Sequence, residues 1–542
     1  METSAATEPT AEPTVTGSQE FHPGLRFYAA FGSLLIVIFA AALDATSLST
    51  ALPIISQDLN GSAIEAFWAG TSFLLTSTVF QLTFGSLSQT FGRKHLVILA
   101  LLLFTVGSIV AAVAKNFTTL LVGRSIQGSG GGGIICLTEI IITDLVPLRE
   151  RGRWFGYQGA VWAIGSVTGP VIGGGLAQAA SWTWIFWINL PICGIGFVAV
   201  MAFLKLNKVP VSFIPKVTKF DWVGVFLLTA SATSFVVAVS WGNVMFPWSS
   251  WRTIVPVILG VAGLAGFVLY EAKVPSDPII RLAIFKQRTA LVSYLGTFLH
   301  GVILWCLLYY MPLYYECVKG YSPTIAGVAA FPETFTVAPA SIVVGVLVSK
   351  WGRFRWAIWT GWSLSVLGMG LLYLLGPHTT IPQWLFMNLV PGLGLGMLYC
   401  SLSYGAQAGA EEKDVAYAAS MYTFSRSFGQ CIGLAIGGAI FQTQFAVKLK
   451  AYPALASQAS SLAKEASALV QIVKAMDKDS PERAMIVEAY ADSLKVVWAI
   501  MAGLAFISLV TSAFAEGLDI NREPEAEQIL REKRDTPSSL SP

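Results

Sequence analysis

The sequence predicts an all-α integral membrane protein, in which two six-helix bundles and two additional central helices give fourteen transmembrane helices. Three observations support this prediction. Of 542 residues, 54% are hydrophobic and 12% are charged, which is about half the charge of an average soluble domain. Apolar runs long enough to cross a bilayer recur along the chain, whose mean hydropathy is +0.65. One glycine- and arginine-containing pattern also occurs twice, 260 residues apart.

The spans follow from the length that a bilayer requires. About 20 apolar residues cross its hydrocarbon core, and in lipid a helix satisfies every backbone polar group internally. Fourteen apolar runs lie between charged or turn-rich breaks, and the choice of fourteen rather than twelve depends on the pair within 222–271. The predicted spans cover residues 27–47, 66–88, 96–114, 118–143, 157–178, 185–204, 222–242, 253–271, 290–313, 325–349, 356–376, 384–406, 417–441 and 493–515.

Lys and Arg residues fix the orientation of these spans, because short cytoplasmic loops carry an excess of positive charge. With the amino terminus inside, the inner loops hold seventeen such residues and the short outer loops hold three. Both termini are therefore expected in the cytoplasm, which requires an even number of spans. The inner residues are Arg93, Lys94, Arg149, Arg151, Arg153, Lys205, Lys208, Lys216, Lys219, Lys273, Arg281, Lys286, Arg288, Lys350, Arg353, Arg355 and Lys413, and the outer ones are Lys115, Arg252 and Lys319.

The same pattern divides the chain into five segments. A long outer loop at 442–490 shows helical periodicity near 459–476, so it is expected to lie on the outer surface. The first tail is polar and lacks the basic region of a cleaved signal peptide. The segments are a disordered cytoplasmic tail (1–26), the amino-terminal bundle (27–206), the two extra spans with their linkers (207–288), the carboxy-terminal bundle (289–515) and a second cytoplasmic tail (516–542).

A repeated loop relates the two bundles. "GSLSQTFGRK" (85–94) closes the second span, "GVLVSKWGRFR" (345–355) closes the tenth, and both read G-x-L-x4-G-R on inner loops. Six spans with short loops need roughly 200 residues, so the spacing leaves room for two extra helices between duplicated halves. Duplicated halves around a central cavity are typical of alternating-access transporters.

The fifth span contains the residues that are poorest at forming helices. "GYQGAVWAIGSVTGPVIGGG" (156–175) has seven glycines and one proline but no charge. Small residues allow two membrane helices to pack backbone against backbone, and Pro170 adds a bend. The small residues that recur in this pattern are Gly156, Gly165, Gly169, Pro170, Gly173 and Gly174.

Several ordered motifs together resemble the major facilitator superfamily, and within it the fourteen-span drug:proton antiporter family, over residues 25–515. The glycine pattern of the fifth span and the loop at 85–94 are two of them. The others are "LDATSLSTALP" (43–53), "LLVGRSIQGSGGG" (120–132) and "WTWIFWINLP" (182–191). The chain departs from the family's motifs at Ser49, Gln89 and Thr183, where Asn, Asp and Arg are usual.

The resemblance implies a role for the fifth and tenth spans. In that family the glycine face of the fifth span packs on the tenth span, across the interface between the halves. The resemblance also implies the superfamily fold, transport of a small-molecule substrate and exchange against protons.

Ionisable residues within a membrane are functional candidates. Asp44 on the first span and Arg124 on the fourth lie at nearly matching depths in the outer third, and the resemblance places both spans beside the cavity. We expect either an acid whose proton occupancy responds to Arg124 or a permanent structural ion pair. His300 lies near mid-membrane, where a hydrogen-bonded core histidine is favoured over a proton or substrate site. Glu139, Glu333 and Arg426 are also embedded, and polar contacts between helices explain them as well as transport does.

The inner loop after the second span is a candidate gate. Gly85 and Gly92 allow a tight turn, and Arg93 and Lys94 are positioned to meet helix carboxyl ends or acids of the facing half. Gln89 stands where the family has an Asp, which favours an uncharged, hydrogen-bonded latch. Arg149, Arg151 and Arg153 are interpreted as ordinary positive-inside residues.

Candidate cavity residues combine aromatic and amide groups, which suit an apolar wall with a few hydrogen-bonding positions. They are Gln127, Tyr310, Tyr404 and Gln407. Asn60 begins a glycosylation sequon on the outer side.

Cofactor and metal chemistry are not indicated. The glycine run 128–133 fits G-x-G-x-x-G but lies inside a membrane helix, and no phosphate-binding G-x-x-x-x-G-K-[ST] occurs. No Cys/His metal spacing is present, and the net charge of +3 reflects the inner loops rather than nucleic-acid binding. The expected partners are a small-molecule substrate, protons and the lipid bilayer, with the chain acting as a monomer.

The sequence therefore predicts a proton-driven efflux pump for amphipathic or apolar organic compounds such as drugs, toxins or secondary metabolites. The segment "FLHGVILWCLLYYMPLYYECVKGYSP" (298–323) resembles filamentous-fungal efflux pumps, which implies the plasma membrane. An importer of the same fold, for example for siderophores, is an alternative. A membrane-embedded enzyme or receptor is disfavoured, because the four His residues are scattered and the gate loops are duplicated.

Overall fold

The structure of the chain is a computed structural model, and it is helical throughout the segments that it describes. Those segments are residues 23–48, 51–59, 63–207, 220–242, 245–275, 278–464, 466–477 and 479–521.

Fourteen long helices or helix pairs occupy the fourteen predicted spans. In the amino-terminal half the helices are α1 (Leu25–Ser47), α2 (Leu52–Asp58), α3 (Ala63–Phe91), α4 (Arg93–Ala112), α5 (Phe117–Leu145), α6 (Arg151–Ala179), α7 (Trp184–Trp187) and α8 (Asn189–Phe203). The two extra spans are α9 (Trp222–Trp241) and α10 (Trp251–Lys273). In the carboxy-terminal half they are α11 (Arg288–Leu313), α12 (Pro323–Ala329), α13 (Phe331–Trp351), α14 (Arg355–Leu372), α15 (Ile381–Ala408), α16 (Val415–Lys450), α17 (Ala459–Lys464), α18 (Ala466–Ala475) and α19 (Pro481–Ser512).

Twelve helical segments of the described chain are long and apolar enough to cross a membrane by length and hydropathy alone. The other two long helices are α3, with 29 residues, and α14, with 18, at the predicted second and eleventh spans. Both pack inside the bundles against neighbouring helices, α3 on α5 and α14 on α15. The all-α membrane fold is confirmed.

The two halves repeat one packing scheme. In the first half α5 packs against α3 and α4, and α1 packs against α6 and α8. In the second half α15 packs against α13 and α14, and α11 packs against α16 and α19 in the same way. The duplicated inner loops therefore mark a duplicated bundle.

The halves meet along two helix pairs, α6 with α13 and α3 with α16. A Cβ on Gly345 would lie 2.4 Å from the carbonyl carbon of Gly152, and one on Gly156 would lie 2.8 Å from the Cα of Ile342. At the second pair, a Cβ on Gly85 would lie 2.5 Å from the hydroxyl of Ser420. Small residues thus let the helices approach to backbone contact, as expected for packing in lipid.

The glycine face of α6 divides between two neighbours, which corrects the expectation that it faces the tenth span throughout. Gly156 lies on α13, but Cβ atoms on Gly165, Gly169 and Gly173 would clash with α1, at 2.7 Å from Ala42, 2.1 Å from Thr46 and 2.0 Å from Ser47. The reason is geometric, because the outer part of α6 packs along α1 within its own half.

The extra helices are central in sequence and peripheral in space. α9 and α10 pack on each other, and α9 also contacts α3 and α16 beside the seam between the halves. Only 17% of the apolar stretch of α10 is buried inside the protein. They therefore leave the contacts between the halves in place.

The predicted long outer loop is mostly helical. α16 continues to Lys450 and α19 begins at Pro481, so both extend beyond the predicted spans. The periodicity near 459–476 corresponds to α17 and α18. Lys474 of α18 forms an ion pair with Glu316 at 3.2 Å, which attaches this outer segment to the end of α11.

We predict that Gly169→Leu destabilises the amino-terminal half, because the new side chain would meet Thr46 and the backbone of Leu43 at 3.0 Å. Overpacking of this kind costs about 1–3 kcal/mol. Thermal unfolding of the purified protein in detergent should show a lowered midpoint. Gly175→Leu is the matched control on the same helix, since no atom lies within 4 Å of its Cβ position. Equal midpoints for the two variants would contradict this packing.

Candidate functional site

Asp44 and Arg124 form a buried ion pair between α1 and α5. Arg124 Nη1 donates to Asp44 Oδ2 at 2.5 Å, and the two residues are 1% and 0% exposed. The guanidinium also lies 4.5 Å from the ring centroid of Phe73, and its Nε donates to the carbonyl of Ala69 at 3.1 Å. The pair is thus enclosed within the amino-terminal half.

Amide side chains complete this network. Gln127 Nε2 and Asn189 Nδ2 each donate to Asp44 Oδ1 at 2.8 Å. Gln127 Oε1 accepts from Arg124 at 2.6 Å, and its amide nitrogen also donates to Ser108 at 2.8 Å. Both carboxylate oxygens of Asp44 therefore have hydrogen-bond donors, which come from α5 and α8.

His300 lies inside the carboxy-terminal half. Its Nε2 is 3.0 Å from the carbonyl oxygen of Leu395, its ring packs edge-on to Tyr399, and it is fully buried. This contact joins α11 to α15 and leaves His300 outside the cavity lining. The geometry matches the hydrogen-bonded core histidine that the sequence favours.

A cavity of about 100 Å³ lies between the two halves. Its wall combines aromatic side chains with a few polar and charged groups from both halves. The lining includes Ile135, Glu139, Gln158, Trp162, Ser166, Leu304, Trp305, Leu308, Thr334, Val337, Ser341, Tyr399, Thr423, Arg426, Ser427 and Gln430.

An acidic and a basic residue, one from each half, line this cavity. Glu139 comes from α5 and Arg426 from α16, and the carboxyl of Glu139 lies within reach of Gln158 and in the field of Arg426. The guanidinium carbon of Arg426 is 3.7 Å from the ring centroid of Tyr399 and 4.3 Å from that of Tyr422, and its Nε is buried with no acceptor among the described residues. The cavity therefore offers a hydrogen-bond donor held on an aromatic cage.

The inner end of this interface is closed by the loop before α6. Arg149 donates to the backbone carbonyls of Ser349 and, at 3.2 Å, of Lys350 at the end of α13. The hydroxyl of Ser349 donates in return to the carboxylate of Glu150. These contacts bridge the halves directly.

A second set of gate contacts reaches α15. Arg151 Nη1 donates to Gln407 Oε1 at 2.8 Å, while its other nitrogens donate to Val146 and Thr143 of its own half. The hydroxyl of Tyr404 donates to the carbonyl of Arg149 at 2.8 Å and accepts from the backbone of Gly152 at 3.0 Å. The structure is therefore closed on the side that the charge pattern assigns to the cytoplasm.

The predicted latch residues make other contacts. Arg93 pairs with Asp144 at 2.9 Å, and Lys94 donates to the carbonyl of Met201 at 2.9 Å, both within the amino-terminal half. Gln89 is partly exposed and makes no hydrogen bond to the described residues. Gly85 approaches the facing half through the close contact described above, and Gly92 adopts the left-handed φ of +95° that ends α3. The expected latch between Arg93, Lys94 and the facing half is thus corrected.

The predicted cavity residues also lie elsewhere. Gln127 belongs to the Asp44 network, and Tyr404 and Gln407 belong to the inner gate. Tyr310 packs against Phe441 and donates to the carbonyl of Leu434 at 3.4 Å. Asn60 lies outside the described residues.

Sequence reasoning missed the residues that close the gate. The positive-inside rule explains any Arg on an inner loop equally well, so it does not distinguish Arg149 and Arg151 as gate residues. Arg153 does fit it, since its guanidinium contacts only Tyr157 of its own helix among the described hydrogen bonds. The sequence does contain a signal for the cavity residues Glu139 and Arg426, because embedded ionisable residues of opposite sign in opposite halves suggest a shared cavity.

Comparison with known proteins agrees with this architecture. The family model described as the Major Facilitator Superfamily matches residues 34–434. The "MFS transporter L2" of a Phoma species is 51% identical over 95% of this chain and 86% of its own length. The "MFS-type efflux pump LUC4" of a Fusarium species is 36% identical over 94% and 91%, respectively.

Two further similarities extend the comparison. The "Acurin A biosynthesis cluster MFS-type transporter" of Aspergillus aculeatus is 40% identical over 78% of this chain and 76% of its own length. The solved structure of the human organic anion transporter MFSD10 covers 90% of this chain and 98% of its own, with a TM-score of 0.56 at 15% identity. The latter similarity concerns the fold alone.

We predict that Asp44 and Arg124 are energetically coupled. Asp44→Asn leaves a buried guanidinium without its counter-charge, which should cost about 3–5 kcal/mol and lower the thermal midpoint. Arg124→Gln in the Asp44→Asn background removes that charge, so the double variant should be more stable than the sum of the single losses. Additive losses, measured by thermal unfolding in detergent, would contradict the coupling.

We also predict that Gln407 controls inner closure. Gln407→Leu removes the acceptor of Arg151 across the halves, at a cost of about 1 kcal/mol, so the inner-open population should rise about fivefold. Gln407→Glu is the matched opposite, since it replaces the neutral amide acceptor of Arg151 by a carboxylate and so adds an ion pair across the halves. The readout is modification of a cysteine placed at cavity residue Ser341 by an impermeant maleimide added from the inner side. Identical rates for both variants would show that this bond does not hold the gate.

Proposed function

Because this chain belongs to the Major Facilitator Superfamily and is a membrane efflux transporter rather than an enzyme, we propose that it exports amphipathic or apolar organic compounds by proton antiport. The observation that carries the proposal is the cavity between the halves, with aromatic walls and one charged group from each half. Names of similar proteins, which include efflux pumps and a biosynthesis-cluster transporter, support secondary metabolites as substrates.

The size of the cavity supports alternating access. Pockets for drug-sized ligands usually measure about 300–1,000 Å³, so the cavity of about 100 Å³ accommodates only a fragment of such a molecule. The halves must separate to admit a substrate. Separation on the inner side requires the hydrogen bonds of Arg149 to Ser349 and Lys350, and that of Arg151 to Gln407, to break. Water can replace the lost partners when the halves separate.

The cavity chemistry favours a substrate with a large apolar body and a hydrogen-bonding group. Trp162 and Trp305 supply apolar surface, while Gln158, Glu139 and Arg426 supply acceptors and donors. A polar group on the substrate would compete with Glu139 for Arg426. Substrates would therefore be distinguished by where that polar group lies relative to the apolar body.

Proton coupling is proposed at Asp44. In the inner-closed conformation its carboxylate oxygens accept hydrogen bonds from Arg124, Gln127 and Asn189. Protonation would remove the attraction to Arg124 and loosen α1 from α5. Since α1 also packs along α6, a change at Asp44 would reach the helix that forms the interface with the second half.

The location of the chain follows from the same reasoning. We propose a multi-pass monomer in the plasma membrane with both termini in the cytoplasm. The excess of Lys and Arg on one set of loops supports this orientation.

Transport in inside-out plasma-membrane vesicles tests the proposal with rhodamine 6G and Nile red as probes. An exporter should accumulate a dye in the lumen when the lumen is acidic, by about tenfold per pH unit for one exchanged proton. A protonophore should abolish the accumulation. Accumulation without a pH gradient would contradict proton antiport, and export from the lumen would support an importer.

Two arginine variants connect this transport to the cavity. Arg426→Met should reduce dye accumulation, because it removes the cavity's cationic donor. Arg252→Met is the matched control, since that guanidinium lies 5.0 Å from Phe246 outside the cavity. Equal transport by the two variants would place the substrate elsewhere.

A further inference from the structure

Glu333 is a buried acid that the ion-pair network and the gate do not use. It lies in the first turn of α13 and is 1% exposed. Both of its carboxyl oxygens are buried, and neither has a hydrogen-bond partner among the described residues. This differs from Asp44, whose two oxygens accept from Arg124, Gln127 and Asn189.

The surroundings of Glu333 contain no cation within the described chain. α15 presents Asn388 and Gly392, and a Cβ on Gly392 would lie 2.4 Å from the carbonyl oxygen of Glu333. α11 presents Cys306, and the π-helical turn that follows it presents Tyr315, which accepts a hydrogen bond from Asn388 at 2.5 Å. The side-chain oxygen of Asn388 is also buried without a partner.

Electrostatics decides the protonation state of such a group. Burying an ionised carboxylate away from water costs several kcal/mol unless a cation or several donors compensate for it. Asp44 has that compensation and Glu333 does not. The inner-closed conformation thus holds one acid with compensating donors in the first half and one acid with none among the described residues in the second.

We propose that Glu333 is a proton-carrying residue of the carboxy-terminal half and that the inner-closed conformation is its proton-loaded state. This inference rests on the proposed proton antiport and adds a second acid to it. In this step one O–H bond forms on the Glu333 carboxylate while one O–H bond of a hydronium ion breaks and releases water. On the opposite side of the membrane the reverse transfer returns the proton to water.

The position of Glu333 gives it a route to water. The next residue, Thr334, lines the central cavity, as do Val337 and Ser341 farther along α13. The junction between α12 and α13 lies three residues before Glu333, where Ala330 accepts from its backbone nitrogen at 3.2 Å. Since α13 also packs on α6, rocking of the halves would change the access of water to the cavity surface of α13 next to Glu333.

Infrared spectroscopy of the purified protein tests the proton directly and needs no substrate. At neutral pH the wild-type spectrum should contain the C=O stretch of a protonated carboxylic acid that the Glu333→Gln spectrum lacks. Glu316→Gln is the control, because Glu316 pairs with Lys474 and should lose only carboxylate absorption. Loss of carboxylate absorption in the Glu333→Gln spectrum would overturn the proposal. Glu333→Asp, which keeps an acid, should retain a shifted band and provides the test if the glutamine variant fails to fold.

Transport separates this inference from the proposed function. In vesicles, Glu333→Gln should lose the roughly tenfold accumulation per pH unit while still exchanging rhodamine 6G across the membrane without a gradient. If dye accumulation by the wild-type protein does not depend on the pH gradient, proton antiport itself is refuted. If the wild-type accumulation depends on the pH gradient and that of Glu333→Gln does so equally, only the role of Glu333 is refuted.

Discussion

The approach of α6 to α13 at the inner side is the contact on which the rest of the structure depends. Gly152 and Gly345 meet there at backbone distance, and a side chain on Gly345 would separate the two helices, while one on Gly152 would meet Cys400 and Tyr404 of α15 at 2.6 Å. This contact places Arg149 against the end of α13 and Arg151 against Gln407 of α15, so the gate forms around it. In lipid no hydrophobic force drives helices together, so close packing and hydrogen bonds must supply the stability of this interface.

Buried ionisable residues have different partners in different parts of the molecule. Asp44 and Arg124 are satisfied within one half, which makes their pairing expensive to break. Glu139 and Arg426 line one cavity from opposite halves, so their interaction depends on the distance between the halves. The carboxyl oxygens of Glu333 are buried and have no hydrogen-bond partner among the described residues. Of the three arrangements, only the second has its two groups on opposite halves, so it changes directly when the halves separate.

The duplicated packing scheme divides the molecule into two halves that meet along one seam. Each half is held by the same set of helix contacts, and the halves touch mainly through the pairs α6–α13 and α3–α16. The extra helices α9 and α10 lie to one side of that seam and leave the gate contacts untouched. The fourteen-span chain therefore retains the mechanics of two six-helix bundles.

The sequence by itself determined the membrane class, the span positions and the duplicated halves, because these depend on apolar length, loop charge and repeated motifs, all of which are local. It also placed Asp44 and Arg124 at one depth, and the structure brings them together. Local sequence patterns do not determine how each helix is rotated about its own axis. Gly156 and Gly169 share one motif on one helix, yet the first contacts α13 and the second contacts α1. Likewise Arg93 pairs within its own half while Arg149 bridges the two, although both are inner-loop arginines. Only the packing of all the helices decides which face meets which neighbour, and so only the tertiary structure separated the gate from the cavity.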